Sequence, residues 1–307
     1  MAVASPVGEQ ITPATAQARD LTITHVSGRR RMTNRAASVL ICGASLVVLI
    51  PLLFILAYVV KRGIGIMSWD FLTKDIPKTD RRLGPGMGPA VLGTLEITGM
   101  ATLLAVPVGI LAAVYVNEYG RANRLAAAIR FLADVMAGVP SIVMGLFVYA
   151  IWVLRFREQT GFAGSLALAC LMLPIVIRAT ESMLRLVPDD LREASTALGC
   201  RKSRTILTVV LPAALPGITS GCLLAIARAA GETAPLVFTI GIVTKANKNL
   251  FSGSTTALPA QIFNNANKTL PGPQERAWGA ALTLICLVLI LTVIARAVSA
   301  RFSVKAD

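Results

Sequence analysis

Charge is scarce in this sequence. Only 15% of its 307 residues are Asp, Glu, Lys or Arg, against roughly 25% in soluble domains, which excludes an ordinary water-exposed fold. Histidine is nearly absent: the single His25 lies in a polar N-terminal stretch. With no clustered acids either, the chain is a poor candidate for hydrolysis or metal chemistry, and no metal-ligating residues are expected. The five cysteines, Cys42, Cys170, Cys200, Cys222 and Cys286, are scattered with no Cys-x-x-Cys or metal-ligand spacing, so they read as small packing residues. No Gly-x-x-x-x-Gly-Lys-Ser/Thr loop occurs, which argues against ATP hydrolysis on this chain. The formal net charge of +14 comes without a basic low-complexity arm or interleaved basic and aromatic residues, so nucleic acid explains it poorly. Membrane orientation and anionic partners explain it better. A chain so short of catalytic groups is read as a non-enzyme, with any energy source on another chain.

What is present is hydrophobic sequence in long runs. Hydrophobic residues make up 55% of the chain, and a span needs about 20 of them. Six apolar segments stand out, at roughly 38–60, 91–116, 127–153, 163–184, 206–232 and 277–299. The fold class expected is therefore an all-α membrane protein with six transmembrane helices over residues 38–307. The first run is longer than a signal-peptide core and lacks a small-residue cleavage site, so it reads as a retained span. Residues 1–37 are Ala/Thr/Ser/Pro-rich and then basic, and are expected to form a flexible basic cytoplasmic tail. With the N-terminus inside, sixteen of the 30 Lys and Arg fall in inner segments, twelve in outer ones and two within spans. That margin predicts a plasma-membrane protein with both termini in the cytoplasm.

Prolines at 51, 107, 140, 174, 212 and 216 punctuate five of the spans. Each removes a backbone hydrogen bond, which transporter helices tolerate where protein or a wet cavity satisfies the freed carbonyl. Pro235 is expected to break the fifth span, leaving a second half-helix or the return limb of a re-entrant segment, and a short outer helix fits the stretch from Leu258 to Asn264. Glycines at 99, 109, 138, 145, 217 and 221 would let helices approach closely. Two ionisable residues one helical turn apart, Arg228 and Glu232, sit in apolar sequence. A charge in a span costs about 2.5–3.5 kcal/mol on insertion scales and normally faces a partner or a wet pathway. Arg178, with Glu181 three residues on, poses the same question. Guanidinium stays charged and presents paired donors that match an oxyanion, while the nearby carboxylates would prevent over-tight capture. A packing pair at 228 and 232, or an Arg178 that snorkels to the surface, is the plainer alternative. Arg178 lies near the inner end of its span and Arg228 deep in the next, so they are expected to mark two levels of one pathway.

Between the fourth and fifth runs, the stretch from Val187 to Pro212 is polar and short. Asp189 is a good N-cap candidate, Asp190 suits the positive end of the helix dipole, Gly199 is placed for a left-handed C′ position, and Ser203 is placed to cap the next helix. The stretch predicts a short cytoplasmic helix over about 189–199 with a small-residue face. Its pattern is Glu193-Ala194-Ser195, three residues, Gly199, nine residues, Val209, one residue, then Leu211-Pro212. This resembles the Glu-Ala-Ala loop of binding-protein-dependent ABC-importer permeases, with Ser195 for the third alanine and Val209 for an isoleucine. The resemblance implies a type I (MetI-like) permease core behind an extra first span. It also implies that Glu193, Ala194, Gly199, Leu211 and Pro212 couple the membrane domain to an ATPase.

Three further stretches, Gly86 to Leu95, Leu173 to Glu181 and Ala227 to Pro235, are similar to the PstA family of phosphate-specific permeases. What that resemblance implies is alternating-access import of inorganic phosphate, with Arg178, Arg228, Glu232 and Glu181 along the substrate pathway. The implied partners are a PstC-like second permease, a PstB-like dimer of ATP-binding subunits carrying ATP and Mg, and a PstS-like extracytoplasmic phosphate-binding protein. Membrane lipid surrounds the assembly, and no cofactor is expected on this chain. Permeases for sulfate or molybdate, the sister PstC role, an ATP-independent ion-coupled carrier or channel, and a purely scaffolding subunit stay open on the sequence.

Overall fold

The computed structural model describes residues 28–81, 84, 86–120 and 123–302. Helix α1 (Gly28–Gly63) is followed by the short α2 (Trp69–Thr73) and by α3 (Gly88–Val114), which a π-helical turn extends through Tyr119. Next come α4 (Arg124–Gly138) and α5 (Ser141–Val148), the latter running through a π turn into α6 (Leu154–Phe156). Helix α7 (Gly161–Leu186) leads to α8 (Asp189–Ala197), and α9 (Lys202–Thr205) passes through a third π turn into α10 (Leu211–Ala230). The chain closes with α11 (Ala234–Thr239), α12 (Leu258–Ala266) and α13 (Pro271–Phe302). Starts are written locally. Ser68, Asn123 and Thr160 each accept a backbone N–H of the helix that follows, satisfying donors the helix itself cannot.

Five stretches are long and apolar enough to cross a membrane, including Arg29–Gly63 and Gly88–Tyr119. The third expected span differs from a straight helix: α4 and the α5–α6 continuation meet at a 107° bend. Its cause is Pro140. Val139 is extended (φ −74°, ψ 130°), as the residue before a proline prefers to be, and it sits directly behind a helix ending in Gly138. Pro51, Pro107, Pro174 and Pro216 lie inside continuous helices. At Pro212 the π turn absorbs the missing donor's register, with Leu211 N–H bonding Ile206 O.

Helix α1 forms one unit through Leu56, and residues 57–307 form another. Residues 1–27 of the expected tail lie outside the described residues; from Gly28 onward the chain is already helical, ten residues before the predicted span. Its 36 residues are about 54 Å long at 1.5 Å per residue. The side chains from Val39 to Leu56 are almost all apolar, as a membrane-crossing helix requires.

The larger unit is organised around α7, which packs along α3 on one side and α10 on the other. The core between them is made largely of small and branched residues, among them Ala101, Ala105, Val176, Ala214, Ile218 and Ala225. Lipid competes with any apolar surface, so close packing rather than burial from water holds such helices together. A second cluster gathers Phe71, Met87, Ala90, Leu258 and Ala280 from α2, α3, α12 and α13. Four of the predicted contact glycines, Gly109, Gly145, Gly217 and Gly221, do face another segment, whereas Gly99 and Gly138 have nothing within 4 Å of an added Cβ. Spacing in sequence does not tell which face of a helix meets a neighbour.

The ends of this bundle are set by contacts. Glu118, beyond α3, pairs with Arg192 on α8, and Arg130 on α4 reaches Val116 O and Glu181. At the opposite end Gln159 donates to Phe238 O, Glu158 accepts from Gly253 N, and Phe162 N bonds Leu250 O. The bent α4–α6 segment therefore starts at the α8 end and finishes at the other. Among the described residues this gives five apolar crossings, and six with the bent pair taken as one.

Gly145 offers a test of this packing. A methyl there would sit 2.6 Å from Pro235 Cα and 3.0 Å from Pro235 O, and backbone atoms yield little. Gly145→Ala is expected to cost about 1–3 kcal/mol and to lower the melting temperature of the detergent-purified protein by several degrees. Gly99→Ala should leave it unchanged; equal behaviour of the two would contradict the helix arrangement.

Candidate functional site

The strongest polar feature inside the bundle is a carboxylate surrounded by guanidinium groups. Glu181 lies on α7 and is 2% exposed. Its Oε1 accepts from Arg130 Nε at 2.8 Å and from Arg185 Nη2 at 2.6 Å, while Oε2 accepts from Arg178 Nη1 at 3.3 Å. Arg178 also pairs with Asp134 on α4. Three cations against two carboxylates leave a net positive charge. Glu181 is spent on binding its neighbours, while the side chains of Arg178 and Arg185 are 41% and 59% exposed. What remains on offer is a set of guanidinium edges facing outward, fixed from behind by a buried anion. Buried in this way, the carboxylate orders α4 against α7 and holds the guanidinium groups in place.

Arg228 is placed differently. It sits in the last turn of α10, and Glu232 follows in the break before α11. The two approach to 3.6 Å, with the Arg228 side chain 70% exposed and that of Glu232 23%. Gly231 N bonds Arg228 O and Glu232 N bonds Ala229 O, so the chain coils tightly past the helix end before Pro235 starts α11. The break expected at Pro235 thus falls a few residues earlier, at Ala230, with proline in the first turn of the next helix.

The two arginines are not brought together. Antiparallel packing sets Gly217 against Met183 and Gly221 against Ala179. Arg228, seven residues beyond Gly221, is then about 10 Å farther from the α8 end than Arg178, at 1.5 Å per residue. The helix register thus sets Arg178 and Arg228 at different heights along the bundle.

At the α8 end, the nine-residue α8 is closed by a Schellman turn. Gly199 has φ +79°, Gly199 N bonds Thr196 O at 2.9 Å, and Cys200 N bonds Ser195 O at 3.2 Å, the two bonds that define the motif. Two expected caps are corrected. Asp189 is the first helical residue behind Pro188, its carboxylate taken up by Arg192, and Ser203 lies inside α9, whose N-cap is Arg201. In both places the backbone turns one or two residues earlier, because proline and the Gly199 turn already set the extended entry. Glu193, Ala194 and Leu198 point to solvent. Ser195 faces inward and shares a hydrogen bond with Thr205 Oγ1 at 2.9 Å, which accounts for a hydroxyl in place of the third alanine. Leu211 and Pro212 are not on the outward face of α8; they begin α10, with Leu211 packed against the core.

Sequence reasoning missed what ties α8 down. Arg192 donates to Glu118 at 3.0 Å, Leu184 O at 2.9 Å, Val187 O at 2.7 Å and Asp189 at 3.0 Å. It also missed Arg130 and Asp134. Only the spacing of Arg185, four residues after Glu181, carried a local signal; Glu118 and Arg192 are 74 positions apart, beyond any helical periodicity.

Comparison with known proteins follows the same lines. Residues 105–304 match the model of a family described as binding-protein-dependent transport system inner membrane component. The chain is 43% identical over 272 residues to phosphate transport system permease protein PstA 1 of Mycobacterium tuberculosis H37Rv, covering 87% of each. It is 42% identical over 276 residues to phosphate transport system permease protein PstA of Yersinia pestis, covering 89% of this chain and 92% of that one. Among solved structures, an inward-facing form of the MetNI methionine ABC transporter superposes with a TM-score of 0.58 at 18% identity, over 70% of this chain and 95% of that one. At that identity the likeness is one of fold.

Removing Glu181 should expose the cost of its network. Glu181→Ala leaves three guanidinium groups without their shared anion, a change of about 3–5 kcal/mol for a buried ion pair broken from one side. The variant is expected to lose thermal stability, read by the melting of purified protein, while Arg185→Gln, on the exposed rim, costs well under half as much. A Glu181→Ala variant as stable as the parent would refute the anchoring role.

Proposed function

Because this chain belongs to the family of binding-protein-dependent transport system inner membrane components, we propose that it is the PstA-type permease subunit of an ATP-driven importer that moves inorganic phosphate into the cytoplasm by alternating access. The observation that carries the substrate is Arg228. A guanidinium in the last turn of a membrane-crossing helix, 70% exposed and held only loosely by Glu232 at 3.6 Å, needs water or an anion beside it. Its fork of donors matches phosphate oxygens, and the nearby carboxylate keeps that affinity low enough for release. The cations around Glu181 form a second station about 10 Å along the helices, reached as the permease changes state.

In this reading α8 lies at the cytoplasmic end, both termini are cytoplasmic, and the loops near Lys245, Lys248 and Lys268 face outward. Glu193, Ala194 and Leu198 present the outward face of α8 to an ATP-binding subunit, where ATP and Mg are held. Gly199 fixes the end of that helix, and Leu211 and Pro212 set the start of α10, the helix that carries Arg228. Arg192 makes α8 move with the end of α3 through Glu118. A PstC-like permease, a PstB-like ATPase pair and a PstS-like binding protein complete the assembly.

Labelled-phosphate uptake into vesicles holding the assembled complex and its binding protein tests this directly. Wild type should import phosphate only with ATP and resist sulfate competition, and Arg228→Ala should reduce uptake at least tenfold with assembly intact. Uptake without ATP would remove the importer, and competition by sulfate would change the substrate. A separate prediction concerns Arg192→Met, which should keep ATP hydrolysis and lose uptake. The exchange Glu118→Arg with Arg192→Glu should recover part of it, and no recovery would limit Arg192 to a merely local role.

A further inference from the structure

At the end opposite α8, two grooves of unlike chemistry adjoin. The first, about 500 Å³, is lined by Lys61, Arg62, Gly65, Ile66, Gln274, Glu275 and Trp278, with Pro271 at its edge. The second, about 340 Å³, is apolar, lined by Ile262 and Ala266 of α12 and by Ala277 and Ala281 of α13. Gln274 and Trp278 belong to both. We propose that this pair of grooves binds one anionic phospholipid, its headgroup phosphate between Lys61 and Arg62 and an acyl chain along Ala277 and Ala281.

Several observations carry it. Two cations face one carboxylate, Glu275, and among the described residues neither Lys61 nor Arg62 is ion-paired. Position fits too. Lys61 and Arg62 end the first crossing, and Pro271 begins the last, so the polar groove lies at the membrane boundary. From Gln274 to Ala281 the second groove descends about 10 Å along α13, into the depth of acyl chains. The wall between them is aromatic. Tyr58 and Trp278 meet edge to face with centroids 5.2 Å apart, and the Arg62 guanidinium lies 5.6 Å from the centre of the Tyr58 ring. Trp and Tyr favour this interface, and basic pockets between membrane helices suit anionic headgroups. The helices also leave no slack behind the site, since a Cβ on Gly63 would sit 2.8 Å from Trp278 O. Basic residues in the last turn of α1 answer its helix dipole, but that alone would not place an apolar groove beneath them.

The test uses the full chain purified from membranes with its bound partners, stripped of lipid in detergent and titrated with phosphatidylglycerol or phosphatidylcholine by native mass spectrometry. Phosphatidylglycerol should bind at least tenfold more tightly. Lys61→Gln with Arg62→Gln should weaken it about 25-fold, at roughly a factor of five per basic residue, and erase the preference. Ala281→Phe, which fills the apolar groove, should weaken both lipids without changing their ratio. Equal binding of the two lipids, or a double variant that keeps the preference, overturns the proposal. So does displacement of phosphatidylglycerol by millimolar inorganic phosphate, which would make the pocket a site for the free ion.

Discussion

Hydrocarbon offers no partner to a charge or to a backbone amide, and most of this chain is arranged around that constraint. Backbone groups are satisfied within helices, even where a proline removes a donor, as at Pro212, where a π turn shifts the hydrogen-bond register. Around Glu181 charges are given one another. Glu181 supplies both oxygens to three arginines, two on its own helix and one on α4. The pairing does more than neutralise: it fixes the bent α4 against α7, so electrostatics does a task that burial from water does in soluble proteins.

The same constraint separates two kinds of arginine. Arg130 spends two of its donors on Glu181 and Val116 O. Arg228 is left largely open, 3.6 Å from its carboxylate partner. A guanidinium committed to protein acceptors on two helices holds a fold together, whereas a more open one does not. Placing the open one at a helix end, next to a break in the crossing, lets its surroundings rearrange without unwinding α10.

Mechanical continuity runs from the other end. Arg192 connects α8 to the end of α7 and to the extension of α3 through three hydrogen bonds. Ser195 and Thr205 join it to the turn that leads into α10. A push on the outward face of α8 would therefore act on three crossings together. The small-residue packing of α3, α7 and α10 suits such motion, because shallow contacts slide at lower cost than interlocked ones.

Much of this was legible in the chain alone, because it depends on near neighbours. Length and hydrophobicity set the crossings, and Gly199 set the end of α8 by a requirement for positive φ that few other residues meet, whereas the starts expected at Asp189 and Ser203 fell one or two residues earlier. The pairs Arg228–Glu232 and Arg185–Glu181 follow from helical spacing. Tertiary structure alone decided the rest. That Arg130 reaches Glu181 across 51 positions and Arg192 reaches Glu118 across 74 depends on where whole helices lie, and no local pattern encodes it. The 107° bend at Pro140 follows from an extended Val139 behind a helix ending in Gly138, whereas four other prolines lie in continuous helices. The same holds for the glycines: Gly109 touches Val176 and Gly99 touches nothing. A side chain's chemistry is local, but the partner it meets is fixed by the packing of segments far apart in the chain.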